Sequence, residues 1–280
     1  MIEPNVRVRL LGPLDRDAGR FMFSRGTTAP LPDSTSSAVR FHPEALIPST
    51  PWREASVAER EQLVAGSARA TADIVVFKIP DAVLTPLRNV LEDCGYYGTD
   101  PQAILAAPTH FAFQPALDRL VAHLAPFRIE GRPLEAFTLY RAEPGAIAVT
   151  RTDRDDPARA RCVGLHVDSW EGASLRSREA LRNRICVHLG RAPRSLLFVA
   201  LTLPEMMRAL GLPDAADHAV TLFTGHAFLR RYPDFPVTRV RLEPGEAYLA
   251  PTGMIVHDGA APEPPEPDVA LHLLGHFAAP

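Results

Sequence analysis

The sequence predicts an α+β fold, a sandwich or barrel of short strands with helices supplied by its N-terminal half. Three observations carry that expectation. Apolar residues recur at helical spacing between Trp52 and about residue 125. Beyond about residue 133 the chain turns to short apolar or alternating runs broken by Pro and Gly. The composition, 46% apolar and 22% charged over 280 residues, is that of a globular protein long enough to bury a sizeable core.

Taken in order, residues 1–50 are rich in Pro, Arg and Ser and hold one strand, VRVRLLG. A helix follows from Ser56, where Glu59 stands three residues later in a capping-box pattern and Val57, Leu63, Val64 and Ala68 form its apolar stripe. DAVLTPLRNVLEDCG reads as a second helix, started by Asp81 and stopped by Gly95, and PALDRLVAHLAPF as a third. Residues 1–132 thus form a helical support region and 133–280 the β-rich core, in one domain spanning 1–280.

In the second half, LEAFTLYRAEPGAIAVTRT reads as two strands around a Pro-Gly turn, and RARCVGLHVDSW as another strand. NRICVHLG alternates, placing Arg184, Cys186 and His188 on one face and Ile185, Val187 and Leu189 on the other. SLLFVALTL is apolar throughout and so buried on both faces. PVTRVRLEPGEAYLAP reads as a hairpin, and VALHLLGHF closes the chain.

A net charge of -3 gives no electrostatic reason to expect nucleic acid or an acidic membrane as partner. Lys78 is the lone lysine among 30 basic residues, so arginine is this chain's default cation and carries little information by its presence alone. Cys94, Cys162 and Cys186 are odd in number and far apart, which argues against a disulfide framework and for a reducing cytoplasm. The first residues lack a signal-peptide pattern, and no uncharged apolar run reaches the roughly 18 residues that span a bilayer. A cytoplasmic protein is expected, with its oligomeric state open.

The stretch GLHVDSW interrupts an apolar run with His166 and Asp168 at i and i+2. In a strand those side chains point the same way, which suits a metal ion or an ion pair. Two histidines and a carboxylate on one face of a metal leave positions open for substrate and dioxygen. A third donor has to come from a distant strand. His257 has the distinctive setting: in EPGEAYLAPTGMIVHDG it ends an apolar strand just before a glycine.

An HxD pair followed, after a PGxxxxxP hairpin, by a distal histidine roughly a hundred residues later resembles the iron(II)- and 2-oxoglutarate-dependent oxygenases. The resemblance covers about residues 133–280. It implies a double-stranded β-helix, a jelly-roll, cupin-like core with N-terminal helices packed outside. It implies His166, Asp168 and His257 as catalytic residues and iron ligands, with 2-oxoglutarate and dioxygen as co-substrates. Decarboxylation to succinate would then be coupled to attack on an unactivated C–H bond. Halogenating relatives carry Gly or Ala at the position of Asp168, so hydroxylation or desaturation is expected, on a small molecule such as an amino acid or natural-product intermediate.

One departure stands out. Members of the family bind the far carboxylate of 2-oxoglutarate with an arginine shortly after the distal histidine, or with a lysine from another strand. Here DGAAPEPPEPDVALHLLGHF contains neither. His272 stands near the expected place, and Arg184 and Arg194 are the other candidates. Arg194 is preferred because it begins the most apolar strand, where an inward cation needs a specific reason. Arg141, Tyr140 and Trp170 are candidate substrate contacts by position. His188 reads as a hydrogen-bonded core histidine, with a spare ligand as the alternative, and His276 as structural. RTDRDDPARAR reads as a solvated loop able to serve as a lid. Two other functions remain open: an iron oxidase of the same fold that does without 2-oxoglutarate, and a cupin-like metal-binding isomerase or binding protein.

Overall fold

A computed structural model describes residues 2–14, 18–30, 40–65, 72–98, 102–152, 159–169, 172–180, 182–212, 217, 219–261 and 266–280. Its first half holds the strands β1 (Val6–Leu11), β2 (Phe21–Phe23), β3 (Thr27–Thr28), β4 (Phe41–Pro48), β5 (Arg53–Glu54) and β6 (Ala72–Lys78). Between and after them lie the helices α1 (Val57–Ala65), α2 (Asp81–Asp93), α3 (Gln102–Ala106) and α4 (Phe113–His123). The second half holds β7 (Leu134–Ala142), β8 (Cys162–Gly164), β9 (Asn183–His188), β10 (Arg194–Thr202), β11 (Val237–Leu242), β12 (Glu246–Ala250), β13 (Ile255–Ala260) and β14 (Asp268–Gly275). The short helices α5 (Leu203–Ala209) and α6 (His226–Arg231) follow β10.

The strands form a six-stranded sheet in the order β1-β6-β12-β9-β14-β7, a five-stranded sheet β13-β10-β11-β2-β5, and a small sheet β3-β4-β8. The two large sheets face each other. Val8, Ile74, Val76, Tyr248 and Ala270 from one pack against Leu196, Phe198, Ala200 and Val240 from the other. On the outer face of the six-stranded sheet, Ile185, Val187 and Leu271 meet Leu84, Leu87 and Leu91 of α2 and Leu117 and Leu120 of α4. On the outer face of the five-stranded sheet, Leu197, Val199 and Leu201 meet Met206 of α5 and Phe228 of α6. All nine residues of β10 are therefore buried, as an uninterrupted apolar run requires.

The Ser56–Glu59 capping box forms as expected: the Ser56 amide donates to Glu59 Oε2 at 2.9 Å and the Glu59 amide to Ser56 Oγ at 3.3 Å. Gly95 ends α2 region with φ +68, a conformation its missing Cβ permits.

Three expectations need correction. The N-terminal half does more than cover the core with helices: β1 and β6 extend one large sheet, and β2 and β5 extend the other. The PVTRVRLEPGEAYLAP segment is no hairpin, because its turn carries the chain from the five-stranded sheet at β11 to the six-stranded sheet at β12. Finally, the second strand expected after Pro144-Gly145 reduces to isolated bridges, Ala146 to Ala261 and Arg151 to Cys162. Among the described residues, no helix is long and apolar enough to cross a membrane.

Candidate metal centre

His166, Asp168 and His257 come together, all buried, each offering one donor atom within 4.8 Å of the others. His166 and Asp168 do not lie on a continuous strand. β8 stops at Gly164, whose φ is +70. His166 instead pairs across the backbone with His257, donating to its carbonyl at 2.9 Å and accepting from its amide at 2.8 Å. The Asp168 amide donates to the Thr252 carbonyl at 3.1 Å, in the turn that leads into β13. Both donor-bearing segments are thus registered against one another by main-chain bonds.

The imidazoles are oriented the same way. His166 Nδ1 lies 2.8 Å from the Gly164 carbonyl and His257 Nδ1 3.3 Å from the Ile255 carbonyl. A carbonyl only accepts, so each Nδ1 carries a proton and each Nε2 is the atom turned toward Asp168. His166 Nε2 is buried and makes no hydrogen bond. It stands 3.8 Å from Asp168 Oδ1, and His257 Nε2 stands 3.9 Å from Asp168 Oδ2. Burial first, and His166 second, push the His257 pKa down to about 3, so this ring is neutral at physiological pH. Burial pushes the Asp168 carboxyl up, but Arg184, His257 and His166 outweigh it and hold it below the usual range. A neutral imidazole at His257, the Asp168 carboxylate held ionised and the orphaned buried Nε2 of His166 are donors that fit a divalent metal site.

Gly164 prepares this arrangement. A Cβ there would lie 2.5 Å from the Leu46 carbonyl oxygen, beside the carbonyl that orients His166. Gly164→Ala is expected to cost about 1–3 kcal/mol in urea denaturation, the usual cost of a side chain forced into that region. It should weaken metal binding as well; a variant with wild-type stability and affinity would show that the close approach is dispensable.

A cavity of about 320 Å³ opens beside the triad and is lined by His166, Asp168, Arg184 and His272, with Thr138, Thr150 and Arg151 on its wall. Asp168 is the one carboxylate among its described lining residues. His272 stacks on Tyr140, with ring centroids 5.7 Å apart and planes 7° from parallel. The Tyr140 hydroxyl donates to the Val149 carbonyl.

The other expected residues fall elsewhere. Arg194 does point between the sheets, yet it is absent from the cavity lining. Its Nη2 lies 3.3 Å from Asp268 Oδ2, with side chains only 2% and 1% exposed. Burial pushes the Asp268 carboxyl up and Arg194 pulls it back only part-way, while Arg194 stays cationic. Arg141 emerges on the opposite face of β7 from Tyr140, donating to the Gly98 carbonyl at 2.7 Å beyond α2. Trp170 lies outside the described residues. Arg151, within the stretch read as a solvated loop, is the charged cavity residue that sequence reasoning did not single out. Its only signal was a place just after the Pro-Gly turn.

His188 belongs to the frame. Its Nε2 lies 2.8 Å from the Ala192 carbonyl, and burial first, then Arg194, push its pKa down to about 3. An unfolded histidine titrates near 6.5, so below that pH the unfolded chain binds a proton that the folded chain refuses. Stability is therefore lost as pH falls from about 6.5 toward 3. His188→Gln removes this contribution: its stability relative to wild type should improve by about 1.4 kcal/mol per pH unit on acidification between about pH 5.5 and 4. Parallel pH slopes in urea denaturation would contradict the assignment.

No protein-family model matches the chain, and no curated protein is similar to it in sequence. Among solved structures it is similar to the Kdo hydroxylase KdoO, a non-heme Fe(II) alphaketoglutarate dependent dioxygenase. The apo form shares 14% identity over 74% of this chain and 80% of that one, at a TM-score of 0.35. The cobalt(II) complex gives 13% identity over the same shares and a TM-score of 0.37. The complex with alphaketoglutarate and Fe(III) gives 14% over the same shares and 0.36. These superpositions are loose, and the metal centre stands on the distances within this chain.

Proposed function

We propose that this chain is a non-heme iron(II)- and 2-oxoglutarate-dependent oxygenase built on a double-stranded β-helix, hydroxylating or desaturating a small molecule. The observation that carries the reading is the convergence of three buried donors, one of them an imidazole nitrogen with no hydrogen bond. The fold supports it. From β9 onward the chain passes repeatedly between two facing sheets, and His257 lies on the face of β13 that meets Phe198 of β10.

His166, Asp168 and His257 would hold iron(II). Bound there with 2-oxoglutarate, it supplies the oxidative decarboxylation that activates dioxygen toward a C–H bond. The chain's own contribution is placement. The Gly164 and Ile255 carbonyls fix the imidazole tautomers, and the apolar Val163 and Leu222 on the cavity wall limit water. His272, oriented by its stack on Tyr140, and the charge of Arg151 would meet the far carboxylate of 2-oxoglutarate. The substrate would approach past Arg151 on the cavity wall, rather than past Arg141.

Oxygen uptake and succinate formation by the iron(II)-loaded chain, with and without 2-oxoglutarate, test the reading. Uptake that requires 2-oxoglutarate and yields succinate is expected. The second reading, an iron oxidase that dispenses with 2-oxoglutarate, is favoured by one observation: Arg194, the cation that would have sufficed for the far carboxylate, is already matched by Asp268. It predicts uptake indifferent to 2-oxoglutarate. Metal binding without oxygen uptake in either condition would leave the cupin-like binding role.

A further inference from the structure

The small sheet packs on the outer face of the five-stranded sheet through Leu46 of β4, which joins the apolar cluster there. Elsewhere the two layers do not close, and a cleft of about 500 Å³ remains between them. Leu197 of β10 and Ala260 of β13 line it from the five-stranded sheet, and Phe41 and Ile47 of β4 line it from the small sheet, together with Trp52. Ile147 adds a further apolar residue, 51% exposed. Arg239 of β11, the cross-strand partner of Leu197, is the one charged group among the described lining residues. Its guanidinium carbon stands 5.0 Å from the centre of the Trp52 ring, so the cation is held at the apolar wall. Arg239 also donates to the Met22 sulfur, and a thioether is too weak an acceptor to neutralise a charge. No lining residue is shared with the cavity beside the metal triad.

From these apolar walls and their single cation we infer that the cleft is a second binding site, for a free medium-chain carboxylate, with the acyl chain against Phe41, Ile47 and Leu197 and the carboxylate on Arg239. The volume is that of a small-molecule site, which spans roughly 300–1,000 Å³ and joins mostly apolar walls to a few polar groups. The chain supplies the driving force, because each methylene withdrawn from water adds to affinity. The head group supplies the selection. A guanidinium meets a carboxylate with two parallel, charge-assisted bonds, and an alcohol of the same length offers it one neutral oxygen. A compact polar anion would satisfy Arg239 and leave the apolar walls wet, so charge and chain are both required.

The test is calorimetric titration of the full, metal-free chain with decanoate, octanoate and decanol, each below its micelle concentration, so the outcome is independent of the metal reading. Decanoate should bind to wild type with one site per chain. Octanoate should bind about tenfold more weakly for its two missing methylenes. Decanol should bind about 10–100-fold more weakly than decanoate for its missing charge. Arg239→Gln should bring decanoate down to the level of decanol and leave decanol itself unchanged. Equal affinity of wild type for decanoate and decanol overturns the inference even if Arg239→Gln does not fold. Decanoate binding that is absent, indifferent to chain length or undiminished in Arg239→Gln overturns it too. Self-association of wild type in sedimentation that decanoate does not disperse would assign the cleft to a second copy of the chain instead.

Discussion

Alanine at Asp168 is expected to abolish stoichiometric iron(II) binding in an anaerobic titration, and alanine at His166 to do the same. Each substitution removes one of three donors that lie within 4.8 Å of one another. The loss should exceed the roughly 10–100-fold expected for a partner outside the ligand set. Asp168→Ala has a second effect, since it leaves Arg184 facing the two imidazoles with no anion between them. Activity falls with the metal, and circular dichroism should show the fold retained, because neither side chain contributes to the apolar clusters between the layers. Iron(II) binding that survives Asp168→Ala would reduce the cluster to a buried ion pair with Arg184.

The second large effect is on stability. Asp268→Ala leaves the Arg194 guanidinium enclosed between the sheets without its carboxylate, and should cost about 3–5 kcal/mol in urea denaturation. The pair is not itself a source of stability. Both charges are desolvated, and neither oxygen of Asp268 makes a hydrogen bond. The double variant Arg194→Met with Asp268→Leu should therefore be close to wild type or above it. A loss of under about 1 kcal/mol in Asp268→Ala, the size of an ordinary surface change, would show that water or another group solvates Arg194.

Much of this was written in the local sequence. The faces of β9 alternate as its residues do, with Ile185 and Val187 in the cluster under α2 and α4 and Cys186 between the sheets. The apolar run of β10 is covered on both sides, and Ser56 and Glu59 cap α1. His166, Asp168 and His257 were legible because two donors sat two residues apart and the third followed an apolar run, although the structure places it inside β13 and not at a strand end.

What stayed hidden was pairing between distant segments. Nothing near Arg194 announces Asp268, and nothing near Arg184 announces Asp168, because each partner comes from a segment distant in sequence and meets it only in the folded chain. The Pro-Gly turn before Glu246 has the residues of a hairpin turn, yet Glu246 continues into the opposite sheet, held there by the buried Arg20 with two contacts of 2.9 Å. Turn chemistry specifies that the chain reverses, not which neighbour it reverses onto.

The reciprocal main-chain pair between His166 and His257 gives the metal centre a reporter that needs no substrate. Each of these two amide protons is bonded to the other residue's carbonyl, so both exchange with solvent only when that bridge opens. An ion gripping both side chains must be released before the bridge can part. At a free concentration about a hundred times its dissociation constant it adds about 2.7 kcal/mol to the opening. Hydrogen–deuterium exchange at these two amides should then slow by about a hundredfold on metal addition. The amides of α2 and α4, which pack on the outer face of the six-stranded sheet, should keep their rates, so the exchange pattern maps where the ion joins the two segments.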